Sequence, residues 1–141
     1  THLFSAIDNI FDPEFILSWR HGQRHMMRRI REPFDDRIRH AEITEQQRQL
    51  AAKMAALPAA QTAPLRAQVE AVQVRLQEAF VHWEKLEIEY RRVMEKKIEA
   101  SREKLAELAR EFREAREKLV AAFHEWEHAH SSALSAMLAG A

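Results

Sequence analysis

PLRAQVEAVQVRLQEAFVHWEKLEIEYRRVMEKKIEASREKLAELAREFREAREKLVAAFHEWEHAHSSALSAMLAG, residues 64–140, opens on proline, closes on glycine, and holds neither in between. It has few β-branched residues, and its apolar side chains recur every three or four positions. That pattern predicts one α-helix of about 75 residues, roughly 110 Å long at 1.5 Å per residue. The predicted helix carries two heptad phases. Val69, Leu76, Trp83 and Tyr90 form one seven-residue row. Beyond Met94 the rows are Ile98, Leu105, Phe112, Leu119, Trp126 and Met94, Ser101, Leu108, Ala115, Ala122, Ala129. The step from Tyr90 to Met94 is a four-residue stutter, which unwinds a supercoil locally without ending the helix. Alternation of large residues with Ala favours a closely packed antiparallel partner.

Upstream, Phe4, Ile7, Ile10 and Phe11 suit one face of a short amphipathic helix, and Asp12-Pro13-Glu14 reads as a helix start. A helix from about 13 to 31 would bury Ile16, Trp19, Met26 and Ile30. Pro33 predicts a break or a kink, because it lacks a donor and disfavours α geometry at Glu32. A further helix over 34–57 would turn inward Phe34, Ile38, Ala41, Leu50, Met54 and Leu57. The turn falls at 58–64, with Thr62 as the cap of the long helix after it. The fold expected is therefore all-α: an elongated antiparallel helical hairpin or coiled coil with one very long C-terminal helix and a short N-terminal amphipathic helix. Its segments are N-terminal helices over 1–57 broken at Pro33, the turn at 58–64 and the long helix at 65–139, in a single domain.

Composition narrows the function classes. Acidic and basic residues number 22 each in 141, so no net field favours nucleic acid or an anionic membrane. Cysteine is absent, which removes disulfides and thiolate metal sites. No apolar run approaches the ~18 residues needed to cross a bilayer. Asp8, Asp12 and Glu14 among the first apolar residues fit neither a signal nor a transit peptide. The expectation is a soluble protein of the cytoplasm or an organelle matrix, with peripheral membrane contact as the alternative.

Few residues point to chemistry. His124-Glu125-Trp126-Glu127-His128 matches the zinc-protease pattern H-E-x-x-H, in which two His one turn apart share a metal and the Glu acts as base. With Trp126 in the seam, however, His124 and His128 fall on the outer face, which leaves them at most adventitious surface ligands. Glu125-Trp126-Glu127-His128 supplies one Glu-x-x-His motif, whereas a di-iron bundle needs two. Two glycines cannot build a phosphate-binding loop, and no serine sits in a strand-turn-helix elbow. No catalytic residue, cofactor or structural metal is expected.

Two charged stripes remain. Arg20, Arg24, Arg28 and Arg31 form a basic one, beside His21, His25 and Arg29. Glu95, Glu99, Glu103, Glu107 and Glu111 form an acidic one. In an antiparallel hairpin turning at 58–64, facing residue numbers sum to about 122. The basic stripe then lies alongside the start of the acidic one, setting register more than stability. A fainter echo pairs Ala79-Phe80-Val81-His82-Trp83-Glu84 with Ala122-Phe123-His124-Glu125-Trp126-Glu127; biased composition accounts for it by chance, and the alternative is two docking points that share a face on one straight helix.

The hairpin arms are unequal, so Leu105, Leu108, Phe112, Leu119, Phe123, Trp126, Leu134 and Met137 are expected to need a partner helix. Asp at both Leu119 and Trp126 should then dissolve an oligomer while keeping the helix signal. The function expected is a non-enzymatic structural or adaptor subunit, assembling by helix–helix packing with itself or with other proteins and reading no nucleic-acid sequence. The alternative is a helical scaffold bound at a membrane surface through the N-terminal and Arg-rich helices. The layout of short amphipathic helix, Asp-Pro step and long hairpin resembles the phage-shock and ESCRT-III-like family in architecture, which would imply lipid remodelling. Pro33 and the unequal arms depart from that family. Helical stalk proteins of secretion ATPases and ATP-synthase peripheral stalks resemble the chain equally.

Overall fold

The computed structural model describes residues 13–95 and 102–140, with side chains from residue 31 onward. Three helices account for them: α1 (Pro13–Ala55), α2 (Ala59–Glu95) and α3 (Arg102–Ala139). No strand occurs among the described residues. The expected helix around Phe4, Ile7, Ile10 and Phe11 lies outside them. The chain divides into two compact units, Thr1–Arg39 and His40–Ala141.

In the first unit α1 contains Pro33 rather than breaking at it. A proline inside a helix removes one hydrogen bond and crowds the preceding turn, at about 3 kcal/mol. Asp36 is buried, while Phe34 and Ile38 are 63% and 42% exposed, contrary to the expected inward face. The inward residues of α1 in the second unit are Ile43, Leu50 and Met54.

The second unit corrects the central expectation. Arg75 of α2 bonds Glu125 of α3, fifty residues on, a separation that would span about 75 Å in one straight helix. Tyr90 stacks on Phe112 at 5.5 Å, and Gly140 sits beside Gln61. Low numbers on α2 thus meet high numbers on α3, and the two helices are antiparallel. In place of one helix over 65–139 the described residues hold two antiparallel helices, Ala59–Glu95 and Arg102–Ala139, so the chain direction reverses from one to the other. No glycine or proline marks that reversal. Burial decides it, because two antiparallel helices cover each other's apolar rows at ~1.5–3 kcal/mol per large side chain, whereas one rod exposes both.

The turn before α2 is also shorter than 58–64. Leu57 donates its N–H to Met54, and Gln61 and Thr62 donate theirs to the Pro58 carbonyl, so the helix begins at Ala59. Thr62 is inside it and fully buried. Its hydroxyl turns back toward the Pro58 and Ala59 carbonyls instead of capping. Pro64 lies within the helix, in its second turn.

Most described members of the heptad rows point inward, whereas Met94 is exposed and Ile98 and Ser101 lie outside the described residues. Val69, Leu76 and Trp83 of α2 join Ala115, Leu119, Ala122, Phe123, Trp126, Ala133 and Met137 of α3 in one core, which Ile43, Leu50 and Met54 of α1 complete. His40 of α1 stacks on Phe80 of α2 at 3.6 Å, close to residue 82, which the expected hairpin register puts opposite it. Trp126 donates Nε1–H to Gln46 Oε1 of α1 at 2.9 Å. Within this unit α1 therefore runs antiparallel to α2, and α3 packs against both. The echoed segments supply core residues, with Trp83, Phe123 and Trp126 all fully buried. Their Phe and Trp side chains therefore do not stand out as exposed docking points.

Two histidines at these packing points link stability to pH. Burial pushes the His40 imidazole below its ordinary value of 6.5, against the opposing pull of the Gln77 hydrogen bond and the Glu84 charge. Burial, with Lys53 adding to it, lowers His130 as well, which stacks on Trp126 at 5.3 Å. Between the lowered values and 6.5 the unfolded chain binds more protons than the folded one. Stability is complete above 6.5 and declines as pH falls below it. Urea midpoints at about pH 7.5 and about pH 5.5 should show the lower value at acid pH, and His40→Gln with His130→Gln should shrink the difference.

Candidate interaction surface

The residues expected to bind a partner are mostly the chain's own core. Leu119, Phe123 and Trp126 are 0% exposed and Met137 is 9%. Leu108, Phe112 and Leu134 pack against the same core, and Leu105 is half-buried. A surplus of apolar surface arises only on one unbroken helix. Folded back, α2 and α3 have nearly equal lengths, 37 and 38 residues, and each covers the other.

The acidic stripe is divided by the same reversal. Glu103, Glu107 and Glu111 are exposed on α3, Glu95 is exposed at the end of α2, and Glu99 lies outside the described residues. Of the basic stripe, Arg31 is exposed, and the side chains of Arg20, Arg24 and Arg28 lie outside the described residues. The H-E-x-x-H segment is split around the α3 surface. Trp126 is the inward residue; His124 and His128 are exposed. Glu125 is held by Arg75 of α2, and His124 Nδ1 lies 3.7 Å from Glu127 Oε2. The glutamate that would serve as base is thus engaged across the helix pair. Among the described residues no group of three or more His, Cys, Asp or Glu is placed to hold a metal ion. No described helix is long and apolar enough to cross a membrane.

A different row emerges on the outer face of α2. Val74, Val81 and Ile88 are 56%, 55% and 41% exposed. They recur every seven residues, so they form one line along the helix. Val74 lies nine residues from the fully buried Trp83, about two and a half turns, and so faces away from the core. No family model, curated protein or solved structure matches this chain.

The row was present in the sequence but overshadowed by a stronger one. Val69, Leu76 and Trp83 share its seven-residue period in another phase and carry larger side chains. Around the exposed row lie Glu70, Glu78, Lys85, Arg91 and Arg92, all exposed. Glu87, by contrast, turns inward: it is buried, with Arg91 3.8 Å away. A buried carboxylate in a charged helix has no sequence signature that separates it from an exposed neighbour such as Glu89.

Proposed function

We propose that this protein is a non-enzymatic structural or adaptor subunit that assembles through helix–helix packing, as a homo-oligomer or within a larger complex. The observation that carries this reading is the line of Val74, Val81 and Ile88 on the outer face of α2. The core beneath it is complete without these three residues. Three branched apolar side chains at heptad spacing are the kind of surface a second helix covers. The exposed, ion-paired environment of the H-E-x-x-H segment supports no competing catalytic reading.

Sizing with multi-angle light scattering over a concentration series tests the self-assembling form. The expected mass is a multiple of 16.5 kDa, and Val74→Asp with Val81→Asp should return it to one chain without loss of helix signal. A monomer at every concentration overturns self-assembly. A second reading, a membrane-surface scaffold, is favoured by one observation in the first unit: Phe34, Ile38 and Arg31 are all exposed there. An apolar pair beside a basic residue suits an anionic interface. Sedimentation with anionic vesicles that Arg24→Glu with Arg28→Glu abolishes would support it, and no sedimentation would end it.

A further inference from the structure

We infer that the outer face of α2 pairs with α2 of a second copy of this chain, antiparallel, about a two-fold axis at Val81. The inference rests on the assembly reading above and names its partner. In such a pair, residue numbers facing each other sum to about 162. Val81 then meets Val81 of the second copy, and Val74 meets Ile88, so the exposed apolar row covers itself end to end.

Charge gives independent support. The same register sets Glu78 against Lys85 of the second copy, and symmetry repeats the contact in the other direction. Glu70 falls opposite Arg91 and Arg92. All five of these residues are exposed. Of these five, the two acids precede Val81 and the three bases come after it, an order that antiparallel pairing makes complementary. A parallel pair would instead bring the Arg91–Arg92 segments of the two copies together. Glu78 and Lys85 stand seven residues apart on one helix, about 10 Å along its axis. Their complementarity is therefore available between chains rather than within one. Surface ion pairs of this kind select partner and orientation more than they add affinity.

The chain contains no cysteine, so single cysteines report the geometry without background. Val81→Cys in the 141-residue chain, oxidised in air, should form a covalent dimer. Val74→Cys and Ile88→Cys should not do so alone but should cross-link when mixed. Cross-linking of all three variants with themselves would mean parallel pairing and would overturn the inference; so would the absence of any cross-link. An oligomer seen by light scattering that Val81→Cys fails to trap defeats this inference and leaves the assembly reading standing. Absence of both defeats this inference and self-assembly together. As a readout free of oxidation, Glu78→Lys should weaken dimerisation roughly tenfold, since two symmetric contacts turn repulsive. Adding Lys85→Glu to it should restore the original affinity. Failure of the second change to rescue the first would overturn the charge register.

Discussion

Leu119→Asp should unfold the unit formed by residues 40–141. Leu119 is 0% exposed in the core where α2 and α3 meet. Removing its side chain alone would cost about 2.7–5 kcal/mol, as buried leucine truncations do. The aspartate adds a second term. It must remain charged without a designed partner, or bind a proton at neutral pH, and either course costs several kcal/mol. Together these exceed or exhaust the ~5–15 kcal/mol by which domains are stable. Far-ultraviolet circular dichroism should lose most of its helical signal, and the urea transition should disappear. This reverses what the sequence suggested, namely that Asp at Leu119 and Trp126 would separate subunits and leave the helices intact. Retention of a cooperative transition with native helicity would place Leu119 outside the core.

Trp126→Ala should be the most damaging truncation that still leaves a folded population. Trp126 is 0% exposed, and it is the side chain of α3 that reaches α1, through Nε1–H to Gln46 Oε1. Loss of the ring leaves a large cavity and costs about 3–5 kcal/mol. Gln46→Ala removes only the hydrogen bond, for about 1 kcal/mol. A double-mutant cycle on the two should therefore show a coupling close to the smaller value, because the second change has nothing left to break. Chemical denaturation of the four variants measures all of these terms. A Trp126→Ala cost below about 1 kcal/mol would contradict the packing described.

The helical class and the inward rows were legible because spacing survives any rearrangement of helices. Val69, Leu76 and Trp83 would be inward in a long rod or a short hairpin alike, since period alone selects the face. The reversal between Glu95 and Arg102 was not legible in the same way. It is set by which surface covers which, and residues 96–101 carry neither glycine nor proline to announce it. Two weak signals stood nearby. The stutter after Tyr90 shifts the heptad phase, and Ser101-Arg102-Glu103 has the order of a capping serine and then an acid in a first helical turn. The candidate surface was missed for a related reason. On an unbroken helix Leu119, Phe123 and Trp126 are the largest uncovered apolar side chains, and they outrank the smaller Val74, Val81 and Ile88.

The antiparallel closure of α2 on α3 also orders events in time. Tyr90 and Phe112 meet across a short loop, Arg75 and Glu125 across fifty residues, and Gln61 and Gly140 across a longer one. Loop-closure entropy grows as the logarithm of that length, so the innermost contact is favoured over the outermost by about 1 kcal/mol before any packing is counted. Each contact made then shortens the loop that the next must close. Loop closure alone thus favours docking of these two helices as a zipper, starting beside the reversal and running toward Gly140. The stacked rings of Tyr90 and Phe112, modest contributors to the finished core, stand where that zipper begins.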